Sequence, residues 1–164
     1  MKKQWINCVA VLTILFSSAV LAEPVTSKPV TTQPAEPTRQ ELEKKLGVTL
    51  NHAVMNGSFT TNGSEKISRD KYTLGEVTKK DGDNWEIKAN IKYGKFDVTL
   101  PLTIPIKWAG DTPVISVTNF GFPGLGQYTA RVLFYGDDYV GIWSSADGSH
   151  GGKMWGKIEH PKEK

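Results

Sequence analysis

The chain has 164 residues, with 20 lysine and arginine side chains against 17 aspartate and glutamate side chains. Residues 1–22, a predicted export signal, contain two lysines and no acid, so the chain without them has 18 basic against 17 acidic side chains. This balance gives no global electrostatic reason to expect nucleic acid or an anionic membrane as a partner, and the length predicts a single domain.

Residues 1–22 have the three parts of an export signal. Lys2 and Lys3 form the positive start, residues 9–16 the apolar centre, and Ala22 ends a motif of small residues at the cleavage point. The apolar run is shorter than the ~20 residues that cross a bilayer, so we expect a cleaved signal peptide and no transmembrane helix after cleavage. The mature protein is then periplasmic or extracellular. Cleavage also removes Cys8, the single cysteine of the chain, and with it any disulfide.

Residues 23–38 are rich in proline and threonine and contain few large apolar side chains. Such a segment cannot bury enough surface to offset the entropy of ordering, so it predicts a disordered tether. At the other end of the chain, residues 161–164 predict a charged tail. Between the tether and the next segment, Thr38 and Glu41 have the spacing of a capping box, and Gly47 is a typical helix terminator. This pattern predicts a short helix over residues 39–47 that docks on the domain through Leu42 and Leu46.

Residues 48–160 predict the β domain. Apolar and polar side chains alternate strictly over residues 85–93 and again over residues 96–108, which is typical of strands with one buried face. Pro101 and Pro105 fall on the outer face and predict an edge, a bulge or a bend, because proline cannot donate to a ladder. Shorter candidate strands lie at residues 48–60, 71–79, 114–118, 127–135, 139–144 and 153–159.

The predicted fold class is all-β, an antiparallel meander of about eight strands preceded by the short helix. Turns such as Asp81-Gly82 and Gly136-Asp137 are too short for parallel crossovers. Eight such strands remove their edges best by closing into an up-and-down barrel of lipocalin-like or avidin-like architecture. A β-sandwich is the alternative.

Glycine and aromatic residues are densest after residue 126. Glycines within strands allow sharp corners or let a ring cross a neighbouring backbone. We therefore expect five residues of this region to be structural: Gly141, Trp143, Gly152, Trp155 and Gly156.

Two resemblances accompany this pattern. The run Gly141-Ile142-Trp143 resembles the Gly-x-Trp signature of lipocalin-type barrels, although lipocalins carry it on the first strand. Residues 48–159 resemble a family of small exported bacterial proteins through the runs at 108–113, 123–126, 130–133, 141–143 and 151–156. That resemblance implies an exported β protein and implies no particular activity.

The sequence shows no recognisable catalytic or metal-binding cluster. His52, His150 and His160 are scattered and lack the spacing of a zinc site. Ser149 and His150 are adjacent but lack a nucleophile elbow and an evident orienting acid. We therefore assign no catalytic residue, no metal and no cofactor.

The function predicted from these patterns is binding of a small apolar or aromatic ligand inside the barrel. Six aromatic side chains at inward positions are expected to line the cavity: Trp85, Tyr93, Phe96, Trp108, Tyr128 and Phe134. One alternative is an envelope-associated structural or protein-interaction module with a protein partner. A second alternative is a hydrolase whose site is formed by residues distant in sequence.

Overall fold

The structure, a computed structural model, describes residues 35–124 and 126–161, without the side chain of Tyr93. The chain divides into two units, Met1–Ala35 and Glu36–Lys164, and the second holds the helix and the sheet. The predicted signal peptide at residues 1–22 and nearly all of the predicted tether lie outside the described residues. So do residues 162–164 of the predicted tail.

One helix and eight strands make up the second unit. In chain order they are α1 (Arg39–Leu50), β1 (Val54–Phe59), β2 (Ser68–Lys79), β3 (Asn84–Tyr93), β4 (Phe96–Ala109), β5 (Thr112–Phe122), β6 (Gly126–Tyr135), β7 (Asp138–Ser145) and β8 (Gly151–Glu159). Every candidate strand of the sequence analysis corresponds to one of these eight strands.

The strands form a closed antiparallel barrel in which each strand pairs with the next and β1 pairs with β8. This topology confirms the predicted up-and-down barrel. The sandwich alternative is wrong, because the pairing of Val54 with Glu159 and of Phe59 with Met154 closes the sheet on itself. Consecutive pairing follows from turns that are too short to skip a neighbouring strand.

Helix α1 begins as predicted and ends later than predicted. Thr38 caps it: the Thr38 Oγ1 atom accepts a hydrogen bond from the Glu41 amide, and the Glu41 carboxylate accepts one from the Thr38 amide at 2.8 Å. The helix continues past Gly47 to Leu50, so the strand expected from residue 48 begins at Val54. Tertiary packing explains the difference, because a Cβ atom on Gly47 would lie only 3.7 Å from the Trp85 ring and Leu50 is buried.

Two β-bulges change which residues of a strand face inward. One lies between Leu74 and Val77 in β2, and the other between Val117 and Phe120 in β5. At the second bulge Asn119 has a φ of 48°, a left-handed conformation that asparagine tolerates. Its amide donates a hydrogen bond to Thr129 Oγ1 at 3.0 Å. The change of phase turns Phe120 toward the hydrophobic core, against which it packs.

Strands β4 and β5 pair over only part of their length. Their ladder joins Ile106–Ala109 to Thr112–Ile115, whereas β4 pairs with β3 along its whole stretch from Phe96 to Pro105. The Ile106 amide donates a hydrogen bond to the Asp83 carbonyl oxygen, just before β3. Because successive amides of an antiparallel strand are directed alternately to its two neighbours, the odd-numbered amides of β4 are directed toward β5. Pro101 and Pro105 occupy two of these odd positions. Of the three predicted alternatives, an edge, a bulge or a bend, the structure is nearest to an edge: the barrel is closed, but its β4–β5 ladder is incomplete at a seam where proline supplies no amide to pair.

Candidate functional site

The barrel interior holds an apolar cavity of about 250 Å³ that is partly open to solvent. Its walls come from all eight strands and from Leu50 of the helix. The lining residues are Leu50, Met55, Phe59, Asp70, Tyr72, Leu74, Ile87, Ala89, Ile91, Leu102, Ile104, Ile115, Val117, Phe122, Tyr128, Ala130, Val132, Phe134, Trp143 and Met154. The lining residues of β3 and β4 are aliphatic and lie at the inward positions expected from the strict alternation of these strands.

Aromatic rings cluster at the end of the barrel opposite the helix. Trp143 meets Phe59 edge-on at 6.3 Å between ring centroids, and Tyr128 lies 6.2 Å from Trp143. Phe122 continues the row at 6.0 Å from Tyr128. These half-buried rings border the cavity where β1 and β5 end and β6 begins. An apolar ligand at this end would contact aromatic faces and edges.

Of the six aromatic residues expected to line the cavity, the structure places Tyr128 and Phe134 in its wall. Trp85 is buried, with 1% of its surface exposed, but it packs at the helix-covered end near Gly47 and does not line the cavity. Its indole N–H has no hydrogen-bond partner among the described residues. Because its ring lies beside Gly47 of α1, Trp85 belongs to the contact between the helix and the barrel.

The other three residues of that set lie elsewhere. Trp108, at the helix end of β4, is covered by the Arg39 guanidinium at 4.8 Å from its ring centroid, a cation–π contact. Phe96 is 48% exposed and does not line the cavity, because it lies at the very start of β4, beyond the first half-buried residue of the strand, Val98. The side chain of Tyr93 is outside the described residues.

Of the five residues expected to be structural, the three glycines lie at close contacts, and the two tryptophans lie on opposite faces of the sheet. A Cβ atom on Gly152 would lie 1.7 Å from the Thr60 carbonyl oxygen, and one on Gly141 would lie 2.4 Å from the Arg131 carbonyl oxygen, so the backbones approach too closely for a side chain. Trp143 lines the cavity, which the sequence analysis did not expect. Trp155 faces outward and is 37% exposed, because Met154 takes the inward position beside it.

A polar cluster of three residues interrupts the apolar interior. Asp70 is 6% exposed and lines the cavity. Tyr139 donates a hydrogen bond to Asp70 Oδ1 at 3.2 Å, and Tyr72 donates one to Asp70 Oδ2 at 3.1 Å. The two tyrosine rings meet edge-on at 6.4 Å. Each carboxyl oxygen thus receives one phenolic hydrogen.

Burial sets the protonation behaviour of this cluster. Loss of solvent raises the pKa of the Asp70 carboxyl above its ordinary value, and the hydrogen bonds from Tyr72 and Tyr139 only partly oppose that shift. Burial and the neighbouring Asp70 also raise the pKa of the Tyr139 hydroxyl, so the phenol stays protonated and remains a donor. The arrangement can accept a further hydrogen bond inside an otherwise apolar cavity.

Sequence reasoning missed Asp70, Tyr72 and Tyr139. The signal for the first two was present, since Asp70, Tyr72 and Leu74 share one phase of β2, but the strand was expected to start at Lys71. Tyr139 gave no such signal, because its contact with Asp70 joins strands β7 and β2, which are not neighbours in the sheet.

The serine-rich turn between β7 and β8 does not form a catalytic relay. Asp147 Oδ1 accepts hydrogen bonds from Ser145 Oγ at 2.6 Å and from Ser149 Oγ at 2.7 Å, and these bonds lower the pKa of its carboxyl. Ser149 Oγ also contacts His150 Nδ1 at 2.6 Å. In a Ser-His-Asp triad the acid orients the imidazole, whereas here it binds the two serines. The contacts are those of a capped turn.

The described residues, 35–124 and 126–161, contain neither a metal-binding cluster nor a membrane-spanning helix. No group of three or more histidine, cysteine or acidic side chains in these ranges is placed to hold a metal ion. Among the helices of the same ranges, none is long and apolar enough to span a bilayer.

Comparison of the chain with protein-family models, with curated proteins and with solved structures finds no match. The resemblance to small exported bacterial proteins therefore stays a prediction, and the barrel and its cavity carry the functional argument.

Proposed function

We propose that this protein binds a small, largely apolar ligand inside its barrel. The cavity of about 250 Å³ is the observation that carries the proposal. Eight-stranded barrels can be filled completely by their own side chains, so an open interior is not a necessary result of the fold. The lining of this one is apolar except at the Asp70 cluster, which matches the usual character of ligand sites.

The cost of such a cavity supports the proposal. At about 24 cal/mol per Å³ for a closed cavity, an empty space of this volume costs at most about 6 kcal/mol of stability. The total free energy of unfolding of a domain is only ~5–15 kcal/mol. A ligand that fills the space recovers the lost contacts. The size is adequate for a ring with a short chain, because a cavity of about 150 Å³ already accepts benzene.

Butylbenzene is a suitable first probe, followed by methyl NMR spectra of the protein. We expect shifts at Leu102, Val117 and Val132, which face the cavity, and none at Val140 or Ile142 on the outer surface. Two separate variants, Ala89→Leu and Ala130→Leu, fill the cavity and should weaken binding, whereas Val140→Leu on the outer face should not. Equal binding by all of these proteins, or no binding by the unmodified one, contradicts the proposal.

We also propose that the protein acts after export, in the periplasm or outside the cell. The support is the pattern of residues 1–22, with its charged start, short apolar run and small residues before Glu23. Intact mass of the protein purified from its own host tests this: a chain beginning at Glu23 supports export, and a chain that retains residues 1–22 contradicts cleavage. Native mass spectrometry of the same sample shows any small molecule that co-purifies.

A second candidate function, a protein-interaction module, is favoured by one specific observation on the outer surface. Val114, Leu133, Val140 and Trp155 lie opposite one another across β5, β6, β7 and β8 and form an apolar row. Val140 is 47% exposed, and Ile142 extends the row on β7. Contiguous exposed apolar surface is typical of contact sites.

The variant Val140→Lys tests this second function, with Val48→Lys on the exposed side of the helix as its control. If this function is right, the unmodified chain and the control should both be cross-linked to an envelope protein, and Val140→Lys should not. Retention by all three proteins, or by none of them, contradicts it.

A further inference from the structure

We propose that the ligand carries a protonated amine, which the Asp70 carboxylate binds inside the barrel. This inference rests on the proposed ligand-binding function and adds the chemistry of the head group. Its first basis is position: Asp70 lies in the cavity wall with 6% of its surface exposed. Among the described lining residues it alone carries a carboxyl group, and none of them carries a basic group.

The second basis is the absence of a cation for this carboxylate within the described residues. The ion pairs of that part of the chain all involve other acids, at Glu43, Asp83, Glu86, Asp97 and Asp138. The adjacent Arg69 takes the alternate phase of β2, is exposed, and donates to Ser58 Oγ at 3.3 Å. A buried carboxylate is costly without a positive partner, and a cationic ligand would supply one.

The third basis is the geometry of the hydrogen bonds. Tyr72 and Tyr139 donate to different oxygens of Asp70, which fixes the carboxyl group, and the carboxylate retains the capacity to accept a further hydrogen bond. Because both phenol hydrogens are directed to Asp70, neither is left to bind an anionic head group. Such a head group would face the Asp70 carboxylate without a donor to compensate the repulsion. Tyr72 also lines the cavity beside Asp70, and an aromatic ring is a favourable neighbour for a cation.

The glycines beside the cluster make this arrangement possible. A Cβ atom on Gly57 would lie 2.7 Å from Asp70 Oδ1 and 1.9 Å from the Tyr139 hydroxyl oxygen. A Cβ atom on Gly156 would lie 2.7 Å from Tyr139 Cε1. The Tyr139 ring thus crosses two strands that have no side chains at this point. The Tyr139 hydroxyl thereby reaches Asp70, which also lines the cavity.

The test uses four probes with one apolar body and different head groups: butylbenzene, phenylbutanol, phenylbutylamine and phenylbutanoate. Binding of each is measured by calorimetry at neutral pH to the unmodified protein and to Asp70→Asn. We expect the amine to bind about tenfold or more tightly than butylbenzene, as a charge-assisted hydrogen bond gives, and the carboxylate to bind most weakly.

In Asp70→Asn the preference for the amine should disappear while butylbenzene still binds. Tyr139→Phe, which removes one orienting hydrogen bond and keeps the carboxylate, should retain part of the preference. An alcohol that binds as well as the amine, or an amine preference that survives in Asp70→Asn, overturns the inference. Butylbenzene separates the two proposals: if it binds and the amine has no advantage, only the head-group inference fails, and if no probe binds, the ligand-binding function fails.

Discussion

Tyr139 donates its hydroxyl hydrogen to Asp70 Oδ1 across strands β8 and β1, which lie between β7 and β2 in the barrel. The ring passes over Gly156 and Gly57, which are paired with each other in the β1–β8 ladder. A side chain 69 residues from Asp70 along the chain thereby fixes the one buried carboxyl group of the cavity wall. The contact contributes to stability and, under the proposed function, orients the group that binds the ligand, so each role has its own test.

Substitution of either glycine beneath the Tyr139 ring should destabilise the barrel. In Gly57→Ala the new methyl group would lie 1.9 Å from the Tyr139 oxygen and 2.6 Å from the Trp155 carbonyl oxygen, and the backbone cannot move without breaking the ladder. We expect a loss of about 3 kcal/mol in the free energy of unfolding, at the upper end of overpacking effects. Urea denaturation followed by tryptophan fluorescence measures it.

The matched control for that substitution is Gly121→Ala in β5. Gly121 is exposed, has no positive φ, and has no heavy atom within 4 Å of the position of a new Cβ atom. Its free energy of unfolding should change by less than about 1 kcal/mol. If Gly57→Ala and Gly121→Ala behave alike, Tyr139 does not cross the barrel as described.

Asp70 should make the barrel less stable as the pH rises. Burial raises the pKa of its carboxyl in the folded state above the unfolded value, so the folded state binds more protons between these two pKa values. The contribution of Asp70 to stability therefore falls as pH rises through that window and is constant above it. Asp97 contributes in the opposite direction, because hydrogen bonds from Asn90 and Lys92 lower the pKa of its carboxyl.

The difference between the unmodified protein and Asp70→Asn isolates the contribution of Asp70. We expect the free energy of unfolding of Asp70→Asn to increase relative to that of the unmodified protein as pH rises. Urea denaturation from acid to neutral pH measures this difference. The variant Asp97→Asn should show the reverse trend, since it removes a carboxylate that is stabilised in its ionised form. A difference for Asp70→Asn that is independent of pH would mean that its pKa is the same folded and unfolded.

The barrel could be predicted because its determinants are local. Alternation from Trp85 to Trp108 fixes which side chains are buried, and tight turns force consecutive strands to pair. Helix α1 was predicted with its correct start at Arg39, because the Thr38–Glu41 capping box is a local motif. Its end was wrong, because burial of Leu50 against the barrel is a tertiary effect that outweighs the signal of Gly47.

The cavity wall could be predicted only in part. Alternation identifies inward residues such as Phe134, but the bulge at Asn119 reverses the phase of β5 and brings Phe122 to the wall. Whether an inward ring faces a cavity or fills the core depends on what covers that end of the barrel, as Trp85 under the helix shows. The Asp70–Tyr139 bond depends on closure of the barrel, which no single segment of the sequence encodes.

The seam between β4 and β5 predicts an alternating pattern of amide hydrogen exchange along one strand. The amides of Thr99 and Thr103 are directed toward β5, where the ladder has ended, whereas those of Leu100 and Leu102 pair with β3. We expect fast exchange at the two threonines and slow exchange at the two leucines, measured by NMR. The Lys107 amide is the internal control: it is directed toward β5 within the ladder and should exchange slowly. Slow exchange at Thr103 would show that β5 pairs along the whole of β4.

The cap of α1 should contribute to the stability of the whole barrel, because the helix covers one end of it. Thr38→Ala removes the acceptor for the Glu41 amide and the hydroxyl that donates to Glu41 Oε2 at 2.8 Å. We expect a loss of about 1 kcal/mol in the free energy of unfolding, and Thr38→Ser should retain most of the stability because serine caps equally well.

Leu50→Ala provides the comparison at the other end of the same helix. Leu50 is 1% exposed and lines the cavity, so its truncation should cost about 2–5 kcal/mol. If both substitutions lower the stability in a single cooperative transition, the helix and the barrel unfold together. A Thr38→Ala protein as stable as the unmodified chain, beside a destabilised Leu50→Ala protein, would mean that the first turn of α1 is frayed in solution and that only its last turn closes the barrel.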